Sequence, residues 1–132
     1  MSNKEDAMYV MQNQAPGETG FPGIEHATLA GSANGLRHLS IWQQSVAPGA
    51  ATPPHRHACE EVVLCTAGEG ELHIDGRIER FGADTTVVIP ANVDHQILSV
   101  GERPLAFVAV LGMTPVQVQF PDGAPIALPW PT

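Results

Sequence analysis

The feature that most limits what this chain can fold into is the frequent interruption of its apolar segments by turn residues. From residue 24 onward the segments are short and are punctuated by Gly, Pro, Asn and Asp. In order they read EHATLAGS, LRHLSIWQQSVAP, EEVVLCTAGEGELHID, IERFGADTTVVIP, HQILSV, PLAFVAVLG and PVQVQFP. No window keeps the apolar period of a helix over three turns, so helix is minor. About eight to ten short strands at this spacing predict an all-β sandwich or barrel.

The length predicts one domain with a sizeable core, since the chain has 132 residues. Residues 1–20 are polar and read as an arm, either flexible or paired with a partner chain. Residues 21–132 are predicted to form a single barrel with a Pro-rich C-terminal tail. The first residues lack the basic start and apolar stretch of a signal peptide, and no apolar run approaches a membrane span. We therefore expect a cytoplasmic protein, in which Cys59 and Cys65 do not suggest a disulfide framework.

The charge balance excludes two classes of partner. The formal net charge is −8, from 14 acidic and 6 basic residues, and no Lys/Arg cluster occurs. Binding to nucleic acid or to an anionic membrane needs a basic surface. We therefore expect neither nucleic acid nor a membrane as a partner, and we expect a small-molecule ligand instead.

A cluster of metal-ligand residue types occurs in the segment TPPHRHACEEVVL, at residues 52–64. On a strand, His55 and His57 share one face, and the alternation that follows favours Glu61 over Glu60 as an inward carboxylate. His95, in IPANVDHQIL, is a fourth candidate. Three imidazoles and one carboxylate suit a divalent ion such as Fe, Mn, Ni, Zn or Cu. One or two coordination positions would stay open for water, substrate or dioxygen.

The spacing of these residues matches a known motif. From Gly49 through His55, His57 and Glu61 to Gly68, the chain matches G-x5-H-x-H-x3-E-x6-G at every fixed position. This is the first motif of the cupin superfamily, which the chain resembles over roughly residues 35–115.

The second cupin motif, G-x5-P-x-G-x2-H-x3-N, is matched less completely. Pro90 and His95 are correctly separated, Asn92 takes the second glycine position, and Ser99 replaces the terminal Asn. Gly82 lies two residues further from Pro90 than the motif requires. Asn adopts left-handed turns readily, so the departures affect turns and packing and leave the metal ligand in place.

The resemblance implies a double-stranded β-helix, or jelly-roll barrel. It also implies one divalent metal per chain inside the barrel and a homodimer. The implied ligands are His55, His57, Glu61 and His95.

Other residues near these motifs leave alternatives open. His38 and His73 are candidate catalytic bases. An outward polar position on the strand suits His38 equally well and is slightly favoured for His73. His26 is predicted to lie on the surface. Trp42 either caps the pocket or packs in the sheet, and Trp130 lies in a tail that folds over the barrel or onto a partner.

The reaction is less constrained than the site. A metal-dependent enzyme is favoured, either an Fe(II) dioxygenase or an isomerase or lyase in which the metal acts as a Lewis acid and a nearby histidine as the base. The alternative is a non-catalytic, metal-containing protein that binds a small molecule. A purely structural metal is less favoured, because a structural site needs no open position.

Overall fold

The fold is an all-β jelly-roll barrel. The punctuated sequence predicts the all-β class, and the cupin resemblance implies the jelly roll. The computed structural model describes residues 9–132. Within that range lie nine strands and one short 3₁₀ helix, Ser32–Asn34. The strands are β1 Gly17–Glu18, β2 Ile24–Ala30, β3 Ser40–Val46, β4 Glu61–Ala67, β5 Glu69–Ile74, β6 Arg77–Gly82, β7 Thr85–Ile89, β8 His95–Ser99 and β9 Leu105–Leu111.

Two antiparallel sheets enclose the core. One has six strands in the order β1-β2-β3-β9-β4-β7, and the other has three in the order β6-β5-β8. Strands β3 and β9 alternate strictly between buried and partly exposed positions, the period-two pattern of a sheet with one buried face. Phe107, Leu105 and Leu111 of β9 are almost fully buried. The core therefore lies between the inner faces of the two sheets.

Left-handed turns occur at motif positions. Gly49 and Gly68 have φ values of +82° and +83°. Asn92 has φ +62°, so it does adopt the conformation for which the second motif uses glycine. The first glycine of that motif corresponds to Asp84, which has φ +63°. The turn geometry is thus kept without glycine at these two positions, since Asn and Asp tolerate it better than other residues.

Both ends of the described chain contact the barrel. Strand β1, within the predicted arm, pairs with β2. The first eight residues of that arm lie outside the described residues. The C-terminal tail turns back on the barrel, where the Ile126 N–H donates to the Val118 carbonyl at 2.9 Å and Trp130 packs against the core.

The described residues include no helix that is long and apolar enough to cross a membrane.

Candidate metal centre and adjoining cavity

Backbone hydrogen bonds hold the two motifs together. The His55 N–H donates to the His95 carbonyl at 3.0 Å, and the His95 N–H donates back at 2.8 Å. The Asn92 N–H donates to the His57 carbonyl at 2.7 Å. Glu61 begins β4 and faces inward, whereas Glu60 is exposed. Segments about forty residues apart are therefore held in register at one end of the barrel.

Four side chains converge where the motifs meet. The nearest ring nitrogens of His55, His57 and His95 all lie within 4.8 Å of one another. The Glu61 Oε1 atom lies 3.5 Å from the Nε2 atoms of both His57 and His95. Two donors that each lie about 2.1 Å from one ion are separated by about 3.0–3.4 Å. The two distances from Glu61 come close to this separation, and the three histidines lie near enough to one another to share the same ion.

Hydrogen bonds fix the tautomer of each histidine in this cluster. In every ring the Nδ1 atom lies within hydrogen-bond distance of a backbone carbonyl oxygen. The distances are 2.7 Å from His55 to Pro53, 3.1 Å from His57 to Gln117 and 2.9 Å from His95 to Val93. A carbonyl only accepts, so each Nδ1 carries the proton and each Nε2 presents a lone pair. This is the arrangement that orients metal-ligating histidines.

The electrostatics favour the ligand forms of these groups. Burial, reinforced by the nearby His95, lowers the pKa of His55 to about 4, and burial also lowers the pKa of His57. Burial alone would raise the pKa of Glu61, but the adjoining imidazoles, His95 foremost, outweigh it and hold that pKa below its usual value. Neutral imidazoles and an ionised carboxylate are the forms that bind a cation.

Two atoms of the cluster are buried without a hydrogen-bond partner. They are Glu61 Oε1 and His95 Nε2. A buried polar atom without a partner costs about 1–3 kcal/mol, and more when it is charged. A cation between these atoms would satisfy both, so the residues present fit a metal.

A small apolar cavity adjoins the cluster. It holds about 50 Å³ and opens beside His55 and His57. Its other lining residues include Phe21, Ile24, Trp42, Gln44, Thr52, Ile126, Leu128 and Trp130. The two histidines are the only titratable residues that line it in the described part of the chain. Trp42 and Trp130 meet edge to face, with ring centroids 5.4 Å apart.

The structure does not bring the two candidate bases to this cavity. His38 is exposed in the turn before β3. His73 lies on β5, where its Nε2 contacts the Glu71 Oε1 at 3.1 Å. Neither residue lines the cavity. Their assignment as bases stays a prediction.

The prediction that His26 lies on the surface is wrong. His26 is 8% exposed and faces inward from β2. Burial lowers its pKa to about 4. The signal was available, since His26 alternates with Ile24 in IEHATLA and shares its buried face. Gln44 was missed altogether, because only the pairing of β2 with β3 places it beside His26 and the cavity.

Comparison with known sequences identifies relatives. Residues 6–124 match the family described as auxin binding protein. Auxin-binding protein 1 from Arabidopsis thaliana is 36% identical over 109 residues, which cover 75% of this chain and 55% of that protein. The chain therefore spans little more than half the length of this curated relative.

Comparison with solved structures supports the fold. A cupin 2 domain-containing protein from Halorhodospira halophila superposes with a TM-score of 0.66 at 29% identity, covering 74% of this chain and 68% of the other. A polyketide cyclase from Streptomyces resistomycificus gives 0.65 at 22% identity, covering 88% and 82%. The second likeness concerns the fold alone. The first likeness confirms the resemblance to the cupin superfamily.

Proposed function

The chain belongs to the auxin-binding protein family, and from that premise we propose that it binds a small aromatic carboxylate at a metal ion. The proposed ligands of the ion are His55, His57, Glu61 and His95. The observation that carries the proposal is the convergence of four ligand-form side chains, two of which have an unpartnered buried atom. They meet beside an apolar cavity that no other titratable residue of the described chain lines.

The charge of the site favours an anionic ligand. A divalent ion held by three neutral imidazoles and one carboxylate keeps a net charge of about +1. Such a charge is costly beside an apolar cavity unless it is paired. A monocarboxylate at an open coordination position would neutralise the site.

The residues that line the cavity favour a carboxylate ligand that carries an aromatic ring. Trp42 and Trp130 offer ring surfaces to a flat ligand. The names of the relatives state that they bind auxin, and indole-3-acetate is a probe of this class. The cavity of about 50 Å³ is far below the roughly 300–1,000 Å³ usual for drug-sized ligands. An aromatic ligand would therefore enter only if the cavity widened.

The test compares indole-3-acetate with indole-3-acetamide by calorimetry, in zinc-loaded and chelator-stripped protein. Binding of the acetate alone, and only with zinc present, is the expected result. Equal binding of both compounds, or binding without metal, would overturn the proposed carboxylate–metal contact. Elemental analysis of protein purified without oxygen identifies the resident ion.

A dioxygenase is the second candidate. Three histidines and one glutamate leave open positions on the ion, and the adjoining cavity is apolar. An Fe(II) centre there would supply the oxygen chemistry without a protein base. Near-stoichiometric iron, together with oxygen consumption on catechols, quinols or thiols, would favour this candidate. An isomerase or lyase would need a base such as His38 or His73, and neither lines the cavity.

A homodimer remains part of the proposal. One row of aliphatic side chains crosses the outer face of the larger sheet, formed by Ile41, Val110, Val62 and Val88. Val88 is 69% exposed. An uncharged row on a chain of net charge −8 suits a second copy, because it avoids repulsion between like charges at the contact. Light scattering on the wild type and V88E tests this, with the wild type dimeric and the variant monomeric.

A further inference from the structure

His26 occupies an inner corner of the barrel that the metal site does not use. It lies directly opposite Gln44 in the pairing of β2 with β3, and Thr28 lies opposite Trp42. Its Nδ1 contacts the Gln44 Nε2 at 3.0 Å, and its Nε2 contacts the Thr28 Oγ1 at 2.7 Å. The Thr28 hydroxyl donates in turn to the Pro131 carbonyl at 2.6 Å. The imidazole thus links a cavity wall to the C-terminal tail.

The direction of each hydrogen bond in this chain follows from its two ends. The Pro131 carbonyl only accepts, so it takes the single hydroxyl proton of Thr28. The Thr28 oxygen must then accept from His26, which places the ring proton on Nε2. The bare Nδ1 accepts from the amide nitrogen of Gln44, which only donates. The low pKa of His26 agrees with a neutral ring.

This tautomer is the opposite of the one in the metal cluster. His55, His57 and His95 keep the proton on Nδ1 and leave Nε2 bare. His26 has both ring nitrogens engaged within the protein. Its role therefore differs from that of a metal ligand, although it contacts side chains that line the same cavity.

Aromatic packing joins His26 to the tail a second time. Its ring stacks on Trp130 with centroids 4.1 Å apart and planes 15° from parallel. Trp42 meets the His26 ring edge to face at 5.2 Å. Gln44, Trp42 and Trp130 all line the cavity. Three side chains that line the cavity therefore contact the same buried imidazole.

We propose that His26 is a positioning residue that holds the Gln44 amide and the Trp130 indole in the arrangement that receives the ligand. The role rests on the proposed function, because it concerns the same cavity. Removing the hydrogen-bond relay should weaken ligand binding and leave the four metal ligands undisturbed. A residue that merely filled the core would affect stability without this selective loss.

The test uses two variants and a matched control. H26F keeps an aromatic ring against Trp130 but breaks both hydrogen bonds of the imidazole. T28V keeps the contact between His26 and Gln44 but removes the hydroxyl that joins His26 to the Pro131 carbonyl. T66V removes a comparable strand hydroxyl, which donates to the Ala106 carbonyl at 3.2 Å away from the cavity. Loss of these hydrogen bonds predicts about 5- to 30-fold weaker binding of indole-3-acetate in the two variants. Zinc stoichiometry should stay at one, and T66V should match the wild type.

Two NMR measurements test the relay independently of the ligand. Long-range proton–nitrogen correlation should show the His26 proton on Nε2 in the wild type. The Trp130 indole N–H, buried without a partner, should exchange with solvent more than about tenfold faster in T28V as the tail opens. A proton on Nδ1, or unchanged exchange in T28V, would refute the positioning role. If the wild type binds no indole-3-acetate while both signals behave as expected, the proposed function fails and the relay stands.

Discussion

Acidification should destabilise the metal-free protein through His55. An unfolded His55 would titrate near 6.5, whereas burial lowers its folded pKa to about 4. Between these values the unfolded chain binds the extra proton, so stability falls as the pH falls and the loss is complete below about pH 4. Each unit of difference is worth about 1.36 kcal/mol. The loss from His55 is therefore about 2 kcal/mol at pH 5 and about 3.4 kcal/mol in full.

The other buried groups act in the same direction. The pKa values of His57 and His26 are also lowered by burial, so both add to the loss below pH 6.5. Glu61, whose pKa lies below its usual value, contributes stability that is lost only at lower pH. A loss of a few kcal/mol is large for a domain whose total stability is roughly 5–15 kcal/mol.

Urea unfolding with a chelator present, at pH 7 and pH 5, measures this effect. The H55Q variant should show a pH-dependent loss about 2 kcal/mol smaller than the wild type. The control H38Q removes a histidine that is exposed, and so hydrated, in the folded chain. It should keep the wild-type pH dependence. Equal pH dependence in H55Q and the wild type would refute the reasoning about the buried imidazole.

Three further predictions concern the metal and one turn. Zinc at 100 times its dissociation constant should stabilise stripped protein by about 2.7 kcal/mol, seen as a higher melting temperature. E61Q removes a charged ligand and should weaken zinc binding more than about 100-fold by competition with a chelator, since outer-shell changes alone cost about 10–100-fold. G68A should destabilise by about 1–3 kcal/mol more than G35A in urea unfolding. Both glycines have φ +83°, but a Cβ at Gly68 would clash with the Pro104 carbonyl oxygen, whereas nothing lies within 4 Å of a Cβ at Gly35.

The parts of the site that could be predicted are those encoded locally. The spacing of His55, His57 and Glu61 fixes which side chains share a face, because strand alternation has a period of two. The turn at Asn92 was predictable for a similar reason, since few residues adopt positive φ. The match to family motifs then added His95, which only tertiary structure brings near the others.

The cavity could not be predicted in this way. His26 and Gln44 meet because β2 pairs with β3 in one register, and a shift of one residue would turn either side chain outward. Trp130 reaches them from a tail more than eighty residues further along the chain. Neither the register nor the path of the tail is readable from local pattern. The four proposed ligands could therefore be named from the sequence, while the surface that would select a substrate could not.

The proposed metal would serve the fold as well as the ligand. Without a cation, Glu61 is ionised and buried, and its Oε1 has no hydrogen-bond partner. That arrangement costs stability, which a bound ion would return by pairing the carboxylate and the bare Nε2 of His95. A structural metal and a ligand-binding metal are thus not exclusive readings of this site. Only a ligand-binding metal needs an open coordination position beside the cavity. An ion that stabilises the fold and is also required for indole-3-acetate binding would therefore have both roles.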